Sequence, residues 1–287
     1  MRLNTHLQAY SLLSPSLFWL GLFFLGPLGI VLMYSFWTRG PYGDIQHVLT
    51  LENYVRAFDP TYLKIVLRSF RVAASITVLC LLFGYPLAYF IATRAEKARN
   101  LLLMMVIIPF WTNFLIRTYA WISILRSDGL INNFLRAVGF IGPTDSVALL
   151  FNEFAVHLGM VYGYLPFMVL PLYASIEKMD FKLLEAANDL GASRWQAFVK
   201  ITLPLTAPGI VAGSILVFVP ALGDFLTPNL LGGGRAMMIG NLIENQFLQS
   251  RDWPFGSALS FILMGVVLLS LILYVRMAGT DDARLQH

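Results

Sequence analysis

An all-α integral membrane protein with six transmembrane helices is the fold class this sequence predicts, on three observations. Hydrophobic residues fill 57% of 287 positions, charged residues only 13%, and the mean hydropathy is +0.69, well above a soluble domain of this length. Six apolar runs are each long enough to cross about 30 Å of hydrocarbon, at roughly 20 residues per crossing. The runs lack the alternation of barrel strands, and lipid offers no partner to an open backbone, so each run is expected to be a helix.

The runs lie at residues 16–37, 69–92, 101–125, 154–176, 207–227 and 256–276. The first follows a weak n-region, MRLNTHLQ, and ends in MYSFWTRG without a small-x-small cleavage site, so it reads as a retained anchor. The second holds Cys80, the single cysteine, which excludes a disulfide within the chain and reads as a small packing residue. Pro109 breaks the third run, Pro166 and Pro171 bend the fourth, and Pro220 with Gly223 loosens the fifth. Broken helices free backbone groups that need protein or water, and they often line transport pathways. Pro and Gly are also simply frequent in membrane helices. Gly209 and Gly213, four apart, allow close packing against another helix of this chain or of a second subunit. The sixth run starts well, with Asp252 near the N-cap and Pro254 in the first turn.

The net charge of +4 and pI near 9.2 do not form a basic stripe, so nucleic acid is not the expected partner. Membrane orientation accounts for the charge better. With the N-terminus inside, Arg2, Arg94, Lys97, Arg99, Lys178, Lys182, Arg194, Lys200, Arg276 and Arg284 are cytoplasmic. Arg39, Arg56, Lys64, Arg68, Arg126, Arg136, Arg235 and Arg251 then face the other side. The sharpest signal is TRAEKARN, three basic residues in one very short loop, which favours N-in and C-in. One membrane domain over residues 1–287 is expected. Its longest polar insertions, 38–68, 126–153, 177–206 and 228–255, are each too short for a catalytic core of their own. An energy source or soluble receptor must therefore be another chain.

The insertion 177–206 contains EAANDLGASRWQAFVKITLP. Asp180 can cap a helix over 181–190, Gly191 suits a left-handed C-cap, and Ser193 can cap a second helix through Lys200. On the first helix Leu183, Leu184, Ala187 and Leu190 share one side, and Glu185 and Asp189 stand at i, i+4 on another. Small Ala186 and Ala187 permit a partner's close approach, and Leu203-Pro204 returns the chain to the bilayer. This is the geometry of a short helix seated in a groove, although periodicity alone favours an amphipathic loop on the membrane surface.

The run of EAA from Glu185, three residues, Gly191, nine residues, Ile201, one residue and Leu203-Pro204 resembles the cytoplasmic EAA loop of binding-protein-dependent ABC importer permeases. Every motif position is present at the family spacing. The resemblance implies a type I importer permease fold in a bacterial inner membrane, and a coupling helix seated in a cleft of an ATPase subunit. It assigns Glu185, Ala186, Ala187, Gly191, Leu203 and Pro204 to ATPase contact. It further implies two ATP-binding cassette subunits, a second permease as heterodimer partner and an extracytoplasmic solute-binding protein, with ATP used by the partner and no cofactor on this chain. IPFWTNFLIRTYAW, GYLPFMVLPLYASIEKMD, LLGGGRAMMIGN and QFLQSRDWPFGSA extend the similarity, which is to the first permease subunit of spermidine/putrescine importers. Polyamine is thus the leading solute, while relatives handle other small polar solutes.

Ionisable residues within spans are costly, and here they are few: Arg71, Arg117, His157 and Asp224. At 100° per residue, 111–125 groups Tyr119, Thr112, Ser123, Asn113 and Arg117 in one sector, with Trp111, Phe114, Leu115, Thr118, Trp121, Ile122 and Leu125 opposite. Cation import needs acceptors and aromatic faces that do not trap. Asp224 beside Phe225, with Tyr119 and Asn113, forms the candidate pathway set. A structural bridge between Arg117 and Asp224 is the competing reading, and the two can hold together because an acid must neutralise Arg117 before a polyamine can approach. For His157, hydrogen-bonded packing competes with proton transfer.

LLGGGRAMMIGN is no phosphate loop, because no Lys-Ser or Lys-Thr follows at the required spacing. It reads as an extracytoplasmic hinge before an amphipathic piece over 237–248 that could touch a soluble binding protein. Two other functions compete with the permease. A membrane enzyme would need clustered acids or histidines, and the four His are dispersed. An ion-coupled secondary transporter or channel would predict inverted repeats and more intramembrane carboxylates than Asp224.

Overall fold

The structure, a computed structural model, describes residues 13–234 and 236–282, with side chains to residue 272. The n-region MRLNTHLQ, and Arg2, Arg235, Arg284 and the Arg276 side chain of the charge argument, lie outside that description. The chain gathers into two compact units, Met1–Leu63 with Leu242–Val266, and Lys64–Asn241 with Val267–His287.

In the first unit, α1 (Leu13–Ser35) is an apolar helix with a π-helical turn at Gly21–Leu25. It ends in a short antiparallel ladder that the all-α reading did not foresee. β1 (Thr38–Arg39) pairs with β2 (Ile45–Gln46), and Gly43 turns the chain at φ +82°. Next comes α2 (Glu52–Ala57). Buried Asn53 donates to the Ser35 and Trp37 carbonyls at 3.0 and 2.8 Å, closing the end of α1. Arg56 pairs with buried Asp252 at 2.8 Å and lies 4.0 Å over the Phe255 ring. Asp252 also accepts the Phe255 N–H at 3.2 Å, the cap expected at the start of the last helix.

The longest helix, α3 (Pro60–Ala92), begins well before residue 69 because Asp59 caps it through the Thr61 N–H and Pro60 suits the first turn. α4 (Glu96–Ile107) runs into a 3₁₀ turn at Ile108–Trp111. After it come α5 (Phe114–Leu125), α6 (Leu130–Ala137), α7 (Glu153–Glu177), α8 (Lys182–Asp189) and α9 (Arg194–Leu205). The order closes with α10 (Ala207–Gly223), α11 (Leu226–Gly232), α12 (Ile239–Leu248) and α13 (Trp253–Asp282). α7 continues through Pro166 and Pro171 without interruption. α10 stops at Gly223 instead of 227, since Asp224 takes an extended backbone and α11 starts afresh.

Among the described residues four helices are individually long and apolar enough to cross a membrane: α1, α3, α7 and the Trp253–Ile272 part of α13. Two bent pairs make up to six if each counts as one span, Glu96–Trp111 with Phe114–Ala137 at 89° and Arg194–Leu205 with Ala207–Gly223 at 64°. At Pro109 the α-helix gives way to a 3₁₀ turn, and the 89° bend follows at residues 112–113. The bend separates Trp111 to Asn113 from the α5 wheel on which the sequence placed them.

The core of the second unit is built by α3, α7 and α10 around Ile76, Cys80, Met168, Leu172, Val217 and Leu222. Their approach depends on glycine. A Cβ on Gly209 would stand 2.5 Å from Ser175 Cβ, and one on Gly213 would stand 2.8 Å from Met168 Sδ. Both glycines therefore serve packing within this chain, which resolves the two possibilities the sequence left open.

Candidate functional site

The insertion 177–206 forms two short helices joined at an elbow. Asp180 accepts the Lys182 N–H at 3.0 Å and so starts α8. At its end the Gly191 N–H reaches the Asn188 carbonyl at 2.9 Å and the Ala192 N–H reaches the Ala187 carbonyl at 3.0 Å, a Schellman cap. Gly191 sits at φ +83°, where an L side chain is strained. α9 starts with a capping box: Ser193 Oγ accepts the Gln196 N–H at 3.3 Å and Gln196 Oε1 accepts the Ser193 N–H at 2.9 Å. Gln196 was not anticipated, although Ser-x-x-Gln is the signature of such a box.

Glu185 and Ala186 are exposed and Ala187 is turned inward. The side expected to be uniformly apolar is split, with Ala187 buried, Leu184 half-buried, and Leu183 and Leu190 exposed. Leu190 and Trp195 form an exposed apolar pair on either side of the elbow. Leu203 and Pro204 are exposed just before the 64° break into α10. Where α7 leads into this insertion, Glu177 pairs with Arg99 at 2.9 Å.

A second feature is a cavity of about 340 Å³ lined by Phe110, Phe114, Arg117, Tyr164, Phe167, Asp224 and Thr227, among others. It falls in the size range of small-molecule sites. Asp224 accepts the Thr227 N–H at 3.1 Å and its hydroxyl at 2.7 Å, which starts α11, and accepts the Tyr164 hydroxyl at 3.3 Å. Arg117 does not pair with it, contrary to the structural-bridge reading. Its guanidinium donates to the Pro109 carbonyl at 3.4 Å and lies 5.6 to 5.8 Å from the rings of Phe114, Phe110 and Tyr162. The break at Pro109 supplies the carbonyl, because no helical N–H takes it.

Asn113, Tyr119 and Phe225 do not line this cavity. Asn113 caps α5 through the Leu115 N–H at 2.8 Å, and Tyr119 points outward from the chain. The Phe225 carbonyl accepts from Asn241 at 2.7 Å. Both ring nitrogens of His157 are engaged, 2.7 Å from Ser75 Oγ and 2.7 Å from the Glu153 carbonyl, as a packing role requires. Arg71 pairs with Glu153 at 3.3 Å, beside Arg68 at 2.7 Å. Among the described residues no group of three or more His, Cys, Asp or Glu could hold a metal ion.

The family model for the inner membrane component of binding-protein-dependent transport systems matches residues 84–279, across the elbow and the cavity. The chain belongs to this family. The permease is 48% identical over 258 residues, 90% of itself and 89% of the relative, to the spermidine/putrescine transport system permease protein PotB of Salmonella typhimurium (strain SL1344). To PotB of Escherichia coli (strain K12) it is 47% identical, covering 90% and 93% of the two chains. To the inner membrane ABC transporter permease protein YdcU of the same organism it is 32% identical, over 98% and 92%. Its fold matches a chain of a bacterial alginate ABC transporter crystallised with an alginate pentasaccharide-bound periplasmic protein, with TM-score 0.75, 21% identity and 96% of both chains covered. This is an ABC importer permease fold.

Sequence reasoning missed three residues of the site. Tyr164 and Thr227 bind Asp224, but a tyrosine in GYLPF and a threonine in an apolar stretch carry no periodic signal of their own. Asn241, the last residue of LLGGGRAMMIGN, is buried and bridges the Phe225 carbonyl and Asn229 Oδ1 at 2.7 and 2.8 Å. That motif was read as a hinge before a peripheral piece. Instead Met238, Ile239 and Asn241 are buried, and Gly240 passes so near the Gly223 carbonyl that a Cβ would be 2.5 Å from it.

Proposed function

We propose that this permease moves a polyamine, spermidine or putrescine, or a related small polar cation, inward by alternating access driven by partner ATPases. The observation that carries the proposal is the elbow at Gly191, which presents Glu185 and Ala186 to solvent at the foot of a broken span. In this reading Glu185, Ala186, Gly191, Leu203 and Pro204 meet the ATPase, and Ala187 supports them from within. Each bent pair counts as one crossing, giving six spans with both termini in the cytoplasm. ATP is bound and used by two cassette subunits and not by this chain. A second permease completes the pathway as a heterodimer, and an extracytoplasmic binding protein delivers the solute.

The polyamine assignment is supported by the close identity to two PotB permeases and by the chemistry of the cavity. A polyamine needs a carboxylate that is not already neutralised and aromatic faces that accept ammonium. Among the described residues Asp224 has hydroxyl partners but no cation, and three rings already accept the Arg117 guanidinium.

The test is to solubilise the native membrane gently, capture this chain and identify what co-purifies by mass spectrometry, then measure radiolabelled spermidine uptake by the captured complex in vesicles. A second six-span protein with an ATPase, and uptake that putrescine competes for, is the expected result. Recovery of the chain alone under conditions that preserve a known complex would overturn the proposal.

A further inference from the structure

At the break between α9 and α10, Thr206 leaves helical geometry at φ −96°, ψ 1°. Its side chain is fully buried. The Thr206 hydroxyl donates to the Thr202 carbonyl at 2.8 Å, and Tyr85 Oη lies 2.8 Å from the same oxygen. A threonine hydroxyl carries one proton. Either hydroxyl can donate across the pair; with the Thr206 proton on the carbonyl, Tyr85 is the donor and Thr206 the acceptor. The Tyr85 ring also meets Phe198 edge to face at 5.6 Å, and Phe198 stacks on Trp195 at 5.7 Å. One side chain of α3 thus grips the loop on both sides of its return to the bilayer.

Tyr85 is itself firmly seated. Gly84 lets α3 approach α7 so closely that a Cβ there would lie 3.1 Å from Met168 Cγ, and Met168 also fills the hollow at Gly213 on α10. The anchor end of the grip is therefore set in the core where α3, α7 and α10 meet. The hinge end is held by one hydroxyl pair buried away from water, where losing a partner is costly.

We propose that Tyr85 is a positioning residue that couples displacement of the α8–α9 elbow to α10 through the Thr206 hydroxyl. The inference rests on the elbow being the ATPase contact. Without the hydroxyl pair, a push on α9 is absorbed at the Thr206 break instead of swinging α10.

The test uses the complete complex captured through this chain and reconstituted in vesicles, with ATP hydrolysis and spermidine import measured in the same sample. Tyr85→Phe and Thr206→Val keep the shape and remove the hydroxyl, while Thr206→Ser keeps it. Tyr85→Phe and Thr206→Val should retain the ATPase in normal yield and raise the ATP consumed per spermidine imported about fivefold, the factor one buried hydroxyl bond supports. The double variant should be no worse than either single one, since both remove the same contact. Thr206→Ser should behave as the parent. An unchanged ratio in both single variants would overturn the proposal, as would additive effects or loss of the ATPase from the complex. Failure of the underlying reading shows differently, as undiminished ATPase yield in Glu185 and Gly191 variants.

Discussion

Arg117 and Asp224 line one cavity without pairing: the guanidinium is held among aromatic rings and the Pro109 carbonyl, while the carboxylate is held by Tyr164 and Thr227. Each charge has its own support, so removing one does not strand the other. The acid is therefore not consumed in an ion pair with Arg117.

Asp224→Asn tests its part in the pathway: the asparagine oxygen still accepts the Thr227 N–H and keeps the start of α11, while its NH2 replaces the oxygen that accepts the Thr227 and Tyr164 hydroxyls. The expected outcome is normal complex yield with KM for spermidine raised about tenfold, equivalent to roughly 1.4 kcal/mol. Initial uptake rates across a spermidine series measure it, and unchanged kinetics would remove Asp224 from the pathway.

At the elbow, Gly191→Val forces an L side chain to φ +83°, at a cost of roughly 1–2 kcal/mol. Glu185→Lys alters an exposed residue without strain. Both variants should insert normally and lose the ATPase on capture. The strained variant alone should show a loop more open to protease, and a normal ATPase yield from both would refute the contact assignment.

Gly213→Leu places a side chain against Met168, and overpacking of this kind costs about 1–3 kcal/mol. The expected result is a lowered midpoint in thermal aggregation of the isolated chain in detergent. A loss confined to binding of the second permease would contradict the intrachain packing.

In the first unit Asp252 is buried while its partner Arg56 is nearly half exposed. Asp252→Ala removes an ion-pair partner and a helix cap together, and should cost about 3 kcal/mol. Arg56→Ala should cost at least as much, because it leaves the buried Asp252 carboxylate without its cation, whereas the half-exposed Arg56 is solvated when Asp252 is removed. Thermal melts of the two variants, read side by side, check the order.

Much of this was legible in the sequence. Hydropathy and length identify the crossing segments, since a backbone in lipid has few options. Gly191, Ser193 and Asp252 were readable as caps because capping is chemistry between neighbours along the chain. EAA at its spacing from Gly191 and Leu203-Pro204 carries the family. Helix ends were less legible: α3 starts nine residues before the apolar run, because hydropathy marks only the part that lies in lipid.

What only the tertiary structure decided are the relations between residues far apart in the chain. Whether Arg117 meets Asp224, whether Gly209 and Gly213 face a neighbour helix or a partner subunit, and where Asn241 and Tyr85 point all depend on how α3, α7 and α10 pack. A helical wheel placed Asn113 on the face of Arg117, but the 89° bend leaves Asn113 outside the helix, capping the start of α5. Local patterns are fixed by bonds between neighbours. A cavity and a hinge are fixed by which distant side chains fill the same space, and no periodicity along the chain encodes that.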